Sequence, residues 1–457
     1  MRNKNLTVDL MLIKKYFSRI AGIIGGLVIF IAIVNVLNYM YVDIYNIGMP
    51  RVLWHHFYEQ KGKIDNIYLG SSHVFSDVNP VQLDGINGQY NFNLASSAQR
   101  MNGSYYLLKE ADRTNSLSHV YLDLYYPCIT KSDLSPDLDP INVRQNWNWQ
   151  NTDYMRFSFN KLEYMLSIAG PEKYTDIFLP FVRYRASLDN WDYINTVIEE
   201  KNKEDYLAYI YCDNHGDGTY SEYTDRGYFG STRSRGKVTK LLKTSVLDEH
   251  PMGEKSKKYI YKIIDYCKKR NIPITVFVAP ISDFQLINLG NYDNFINEVR
   301  GITQECGVDF YDFNLAKDEY LPIDHDEYFK DLTHLNTEGA KVFTDFFAKV
   351  VAGTALDNEK YFYPSYAEKL ISESPKLYGL YYSDVEDDIR TFWVASNREE
   401  GMEYRIIMTS DESGQYIVQE FAQNKEFTVS SDEHGVCTIV ARMKDEPDEV
   451  QTLEIKY

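Results

Sequence analysis

Cysteine is scarce in this sequence and never paired. Cys128, Cys212, Cys267, Cys306 and Cys437 are scattered along the 457-residue chain without a CxxC among them. That excludes a disulfide-stapled scaffold and a zinc-site spacing. It leaves buried or half-buried thiols, at least one of them free unless chains cross-link. Positive charge is short as well, with 48 Lys and Arg against 66 Asp and Glu, a net charge of −18. Nucleic-acid binding draws on Lys and Arg to neutralise phosphates, so nucleic acid is set aside as the main partner. Internal repeats and low-complexity tracts are missing too, which leaves a chain of conventional domains, two or three at this length.

What the chain does have begins with a long apolar run. Residues 20–37 read IAGIIGGLVIFIAIVNVL, interrupted only by Asn35, and Asn38, Tyr39, Met40 and Tyr41 extend it. This is long enough to cross a bilayer. Arg2, Lys4, Lys14, Lys15 and Arg19 precede the run, Asp43 follows it, and the next basic residue is Arg51. The positive-inside bias therefore predicts a cytoplasmic segment over residues 1–19, a span over 20–41 and the remainder outside, in the cell membrane. Val34, Val36 and Leu37 are bulky, so no small-x-small cleavage site follows the run. The expectation is a single-pass, uncleaved signal anchor. Aromatic residues make up 15% of the chain, with 39 Tyr, a composition suited to surfaces where rings meet water or sugars.

Beyond the span, strand and helix signals alternate. Short apolar runs at 65–69, 90–94 and 119–126 flank a helical pattern at 101–111, the βαβ rhythm of a parallel sheet. Residues 131–250, rich in Asp, Asn, Trp, Tyr and Arg, break the rhythm and read as an insertion with a few helices, one near 161–169. The rhythm resumes with a helix over 257–269, a buried-type strand over 273–279, a helix over 294–306 and a strand over 309–313. Val342, Phe343, Phe346, Phe347 and Val350 then mark an amphipathic helix. From about residue 357 the pattern becomes short strands separated by turns, at 390–395, 404–409, 416–421, 427–429, 436–441 and 453–457, which predicts a β-sandwich over 357–457. The fold class expected is α/β, a doubly wound parallel sheet over 50–356, with an N-terminal transmembrane helix and a C-terminal all-β sandwich.

Two short motifs carry chemistry. Ile67-Tyr68-Leu69-Gly70-Ser71-Ser72-His73 runs a strand into a Gly-Ser-Ser turn. Asp331-Leu332-Thr333-His334-Leu335-Asn336, with Gly339-Ala340 after it, is a loop opening a helix. In open α/β sheets, ligands bind beyond the carboxyl ends of the strands, where the first motif belongs. A Ser hydroxyl needs a base to act as a nucleophile. His334 is the candidate base, and Asp331 the residue that would fix its tautomer. Either motif alone is common, since Gly-Ser-Ser is an ordinary turn and Thr333 or Asn336 can simply cap a helix. The combination, each half in its proper strand or helix context, is what points to a site.

That combination resembles the SGNH/GDSL hydrolase superfamily. Gly70-Ser71-Ser72 matches its first block with Ser71 in place of Asp, aligning Ser72 with the nucleophile. Asp331, His334, Asn336 and Gly339 match its last block. Asn93-Leu94-Ala95-Ser96-Ser97-Ala98 stands for the second block, with Ala98 where glycine is usual. The resemblance implies an oxyanion hole from the backbone N–H groups of Ser72 and Ala98. The third block normally brings an Asn, and Asp123-Leu124-Tyr125-Tyr126-Pro127 has none. An N-terminal anchor, a strand ending in Ala279-Pro280 and the run from Tyr328 to Asn336 resemble the D-alanyl-lipoteichoic acid transfer and alginate O-acetylation proteins in particular. By that resemblance, Ser72 would take an acyl group supplied through a multi-spanning membrane O-acyltransferase. It would pass the group to a cell-surface glycan or teichoic-acid-like polymer, without cofactor or metal.

Trp147, Trp149, Trp191, Arg183 and Arg185 are candidates for a polymer site in the insertion, since rings suit sugars and Arg suits phosphate or carboxylate; the same residues would equally pack the insertion's own small core. His73, next to the nucleophile, is a candidate contact to the acyl or leaving group, or else an exposed or hydrogen-bonded turn residue. His55, His56 and His73 have no metal-ligand spacing. Two other functions fit the same residues: a carbohydrate esterase with the same triad, and a catalytically silent scaffold that binds polymer or partner through the insertion and an Ig-like or carbohydrate-binding-like sandwich.

Overall fold

The computed structural model describes residues 2–42, 48–130, 149–168, 170–249, 252–353, 359–386, 388–410, 414–431 and 433–457. Trp147 and the turn residues 411–413 lie outside them. The chain divides into two compact units. The first joins residues 1–52 to 136–211, and the second comprises 53–135 and 212–457.

In the first unit one helix, Arg2–Tyr41, contains a 27-residue stretch, Lys15–Tyr41, long and apolar enough to cross a membrane and with none of its apolar window buried. It is a candidate membrane anchor or signal sequence. The rest of this unit is helical, including Phe159–Ser167, which was expected near 161–169, and Trp191–Lys201, capped by Asn190 accepting from Tyr193 N–H at 3.0 Å. Its small core sets Tyr41 and Val42 against Tyr184 and Ile194.

The second unit is built on a five-stranded parallel sheet. Its strands are β1 (Asn66–Leu69), β2 (Asn91–Asn93), β3 (His119–Asp123) and, further on, Ile274–Val278 and Asp309–Asp312. Between them in sequence lie β4 (Cys212–Asn214), β5 (Tyr220–Tyr223), β6 (Phe229–Ser231) and β7 (Lys240–Leu242), so the last two sheet strands are β8 and β9. The sheet order is β2-β1-β3-β8-β9 with every neighbouring pair parallel. Counted along this sheet that is the doubly wound order 2-1-3-4-5, whose switch point lies beside β1. β1 and β8 are buried at every residue, as expected of strands covered on both faces.

The helix Thr337–Val351 closes this layer. Asn336 caps it by accepting from Gly339 N–H at 3.0 Å. Phe347 packs on Tyr68, Tyr121, Phe277 and Phe313 at ring-centroid distances of 6.0, 5.4, 5.1 and 5.5 Å. Burying one such ring contributes roughly 1.5–3 kcal/mol. The second half of the predicted insertion belongs here too. β4, β5 and β6 form a small antiparallel sheet, and Arg226 ties the neighbouring turn to β2 through Asp84 at 2.6 Å and through its carbonyl to Asn93 N–H at 2.9 Å.

The C-terminal strands are β10 (Leu377–Tyr382), β11 (Ile389–Ser396), β12 (Met402–Ser410), β13 (Gly414–Ala422), β14 (Glu426–Ser430), β15 (Gly435–Met443) and β16 (Glu446–Lys456). Two four-stranded sheets, β14-β11-β10-β7 and β13-β12-β15-β16, share one core that includes Leu380, Phe392, Tyr404, Ile406 and Ile439. β7 comes from the predicted insertion and pairs in parallel with β10. Neither strand was expected: β7 has only three residues, and β10 precedes the first C-terminal strand expected, at 390–395. Cys128, Cys267 and Cys437 are buried, Cys306 half-buried and Cys212 exposed, all as free thiols.

A charge cluster lies around the buried pair Lys369–Asp283, with the Lys376–Asp318 pair partly exposed. Lys369 pairs with Asp283 at 3.1 Å, Lys376 with Asp318 at 2.9 Å, and the Asp283 N–H donates to Asp324 at 3.2 Å. Burial, against which the Lys369 charge pulls only in part, pushes Glu373 up to about 8; burial and the Asp283 charge push Asp324 up to about 7. A carboxyl raised on folding stabilises below its unfolded value, and that contribution is lost as pH climbs toward the folded value. Glu373→Gln should therefore match the wild type in urea melts near pH 4.5 and become progressively the more stable of the two up to about pH 8. A constant difference across that window would show that Glu373 ionises normally in the folded chain.

Candidate active site

β1 ends at Leu69, and the chain turns through Gly70 and Ser71 into the short helix Ser72–Asp77. The turn needs glycine for space: a Cβ on Gly70 would lie 2.4 Å from Val74 Cγ2 and 2.8 Å from Asp123 Cβ. Ser71 caps the helix, its Oγ accepting from His73 N–H at 3.5 Å. Ser72 is thus the first helical residue beyond the carboxyl end of the strand at the switch point. Asn93 steadies this helix from β2, donating to the carbonyls of Val74 at 2.7 Å and Val78 at 3.3 Å.

The 331–336 loop arrives from the far side of the sequence and is fixed by its own backbone. Lys330 N–H donates to the His334 carbonyl at 3.0 Å, and Asn336 N–H to the Tyr328 carbonyl at 2.9 Å. Ser282 Oγ donates to the Leu332 carbonyl at 2.8 Å. Leu335 N–H donates to Asp77 Oδ1 at 3.0 Å, tying the loop directly to the Ser72 helix. The outcome is one hydrogen-bonded chain. His334 Nε2 lies 2.7 Å from Ser72 Oγ, and His334 Nδ1 lies 2.9 and 3.0 Å from the two Asp331 oxygens. Asp331 also accepts from Thr333 N–H at 2.8 Å and His334 N–H at 2.9 Å. Burial works against its charge, but the His334 ring and these N–H donors outweigh it and hold the carboxyl below the usual range. A carboxylate bonded to one imidazole nitrogen leaves the other free to accept a proton from the serine.

Of the two turn readings for His73, the structure shows the hydrogen-bonded one and not the exposed one. The ring is fully buried, stacked on His334 with centroids 4.4 Å apart and tilted against Tyr125 at 3.5 Å. Burial, reinforced by the neighbouring His334, keeps it neutral well below its ordinary range. Its Nδ1 lies 3.4 Å from Ser71 Oγ, and the Thr333 backbone also bonds to the ring. Sequence reasoning missed this stack because periodicity does not tell which side of a turn is covered. It also missed Asp77 and Lys330. The Lys330 amine donates to Ser76 Oγ at 2.8 Å, and burial lowers its pKa.

Ala98 sits in the left-handed region at φ 49°, the conformation that favours glycine. At the third-block position, Asp123 is buried at the exit of β3, accepting from Ala279 N–H at 3.1 Å, and burial raises its carboxyl to about 7. Arg183, Arg185 and Trp191 belong to the other unit. Arg183 is bound to Asp153 at 2.6 Å with its guanidinium 4.8 Å from the Trp149 ring centre, and Arg185 is bound to Asp176 at 2.9 Å. Both guanidiniums are thus engaged within their own unit, while Trp191 stays exposed. Two clusters of three potential metal ligands occur among the described residues, His55–His56–Glu59 and Asp283–Asp318–Glu373, and neither includes His73.

No family model matches the chain, and no curated protein matches it. Among solved structures, a Bacteroides fragilis protein provisionally described as an acylhydrolase aligns over 66% of this chain and 94% of its own at 9% identity and a TM-score of 0.30. A double mutant of a Cellulomonas fimi endo-β-1,4-mannanase aligns over 91% and 98% at 8% identity and a TM-score of 0.13. At those scores neither likeness carries an argument about fold or activity.

Two substitutions test the local geometry. Gly70→Ala should destabilise the chain by about 1–3 kcal/mol, because Val74 or Asp123 must move. Ala98→Gly should stabilise it by up to about 1 kcal/mol, as the left-handed strain is released against the entropy glycine costs. Urea titration reads both, and opposite signs would refute the assigned backbone conformations.

Proposed function

We propose that this protein is an SGNH-type serine O-acyltransferase, held at the membrane by its N-terminal helix and acting outside the cytoplasm on a cell-surface polysaccharide or teichoic-acid-like polymer. The observation that carries the reading is the 2.7 Å contact between Ser72 Oγ and His334 Nε2, with Asp331 on the opposite ring nitrogen. The two motifs lie 262 residues apart in sequence.

In the proposed reaction the Ser72 oxygen attacks the carbonyl carbon of an acyl donor while His334 Nε2 takes its proton. Backbone N–H groups of Ser72 and Ala98 hold the developing oxyanion. His334 returns the proton to the departing donor group, leaving acyl-Ser72. A polymer hydroxyl then attacks the same carbonyl, His334 takes that proton, and collapse returns it to Ser72 with the acyl group on the polymer. The donor would be supplied by a multi-spanning membrane acyltransferase. Asp331 serves by holding the imidazole tautomer and stabilising the imidazolium.

Hydrolysis by the same triad is the second reading, favoured by one observation: the Asp331 and His334 side chains are 50% and 20% exposed, which admits water as acceptor. A chromogenic acetate ester with and without a glycan oligomer separates the two. Transfer gives an acetylated oligomer at the expense of free acetate, whereas an esterase gives acetate at the same rate in both.

Fluorophosphonate labelling of the full chain, read by intact mass, tests the nucleophile. One adduct is expected in the wild type and none in Ser72→Ala or His334→Ala. Asp331→Asn should label slower by about two to four orders of magnitude. An adduct that survives Ser72→Ala would remove this serine from the mechanism, and a folded wild type that never labels would favour a catalytically silent scaffold.

A further inference from the structure

The apolar helix does not simply lead into a loop; its last turn is gripped. The Lys201 amine, 4% exposed, donates to the carbonyls of Asn38, Tyr39 and Val42 at 3.2, 2.7 and 2.6 Å. A buried cation there satisfies carbonyls that a helix end leaves open and opposes the negative end of its dipole. Around it, Phe181 N–H donates to Asn38 Oδ1 at 3.0 Å, Tyr39 Oη to Asn202 Oδ1 at 2.9 Å, Tyr41 Oη to the Leu188 carbonyl at 3.1 Å and Tyr193 Oη to the Tyr41 carbonyl at 2.8 Å. Both ends of the helix Trp191–Lys201 therefore reach the same turn, residues 38–42.

This fixes a depth. A stretch of 27 residues is about 40 Å long at about 1.5 Å per residue, against a hydrocarbon core of about 30 Å and about 40–45 Å with the headgroups. If the helix spans, its last turn falls in the headgroup layer, and whatever is bonded to that turn lies there too. Leu188 and Trp191 flank the bonded carbonyl and are 44% and 66% exposed, beside Tyr39 at 42%. An indole and a phenol at this level match the composition of an interfacial aromatic belt. Neighbouring Arg183 is buried against Asp153, while Arg185, bound to Asp176, keeps its side chain 58% exposed, so one paired cation stands outward beside the apolar side chains.

We propose that the helical unit is a seat on the bilayer surface, with Trp191 and Leu188 inserted at the boundary between lipid headgroups and acyl chains. The inference rests on the reading of the N-terminal helix as a span. It gives Trp191 a lipid partner in place of the polymer suggested by sequence, and it makes the anchor a rigid mount whose orientation is set at two points.

The full chain in phosphatidylcholine proteoliposomes provides the test. Part of the lipid carries bromine high on the acyl chain, and tryptophan emission is compared between wild type and Trp191→Phe, an exposed position that folding tolerates. Both proteins carry Trp147→Phe, and of the remaining indoles Trp54 and Trp149 are buried and Trp393 is bonded to Glu426. The expected result is a bromolipid-dependent loss of emission in the wild type that falls by at least half in Trp191→Phe. Flotation of the vesicles reports separately on the span. Protein that floats with equal quenching in both variants, or with none, overturns the seat while leaving the span standing. Protein that does not float overturns both. Emission that responds to a glycan oligomer but not to bromolipid returns Trp191 to a sugar-binding role and also overturns the proposal.

Discussion

The packing of Phe347 against the parallel sheet is the interaction on which the rest of the second unit depends. Its ring meets Tyr68 of β1, Tyr121 of β3, Phe277 of β8 and Phe313 just after β9, so one side chain registers four successive segments of the sheet. The helix that carries it starts at Asn336, and that cap follows His334 by two residues. Docking the helix therefore sets where the imidazole is delivered. Removing the ring would cost about 3–5 kcal/mol by the usual scale for large core truncations, and the loss would be felt first at the loop that the helix holds in place.

Electrostatics around Ser72 follow from the same closeness of packing. His73 and Asp77 in the following helix and Asp123 at the exit of β3 are all buried around the turn, and burial drives each of them toward its neutral form. Asp331 alone is pulled the other way, since it gathers an imidazole and two backbone N–H groups. The local pattern is a charged carboxylate at one end of a hydrogen-bonded chain, with groups pushed toward neutrality and the Lys330 amine about the other. An imidazolium formed at His334 would find its compensation in Asp331. The stacked His73 also limits how the His334 ring can turn, a restraint on orientation rather than a supply of charge.

The main lines of the fold were legible because they rest on local pattern. Fully buried parallel strands such as β1 and β8 announce themselves as short, mainly apolar runs, and Ile260, Ile263, Ile264 and Cys267 mark the buried face of the helix Glu254–Arg270. Six of the seven C-terminal strands were readable from alternation. β7 and β10 were not, since a three-residue strand has no period to detect and its existence depends on its partner. The predicted insertion proved heterogeneous for a related reason: its helical half clusters with the apolar helix and its stranded half with the sheet, a division that composition does not mark.

Sequence by itself determined the apolar segment, the alternation of strand and helix, and the identity of Ser72, Asp331 and His334 as a set worth testing. Each of these depends on residues near one another in the chain, where spacing and side-chain type suffice. Tertiary structure decided that the set converges, that His73 is buried in a stack and not exposed, that Arg183 and Arg185 are engaged by carboxylates of their own unit, and that Lys201 grips the end of the apolar helix. Those outcomes depend on contacts between residues as much as 262 positions apart, and such contacts are set by how layers pack, which no local spacing encodes.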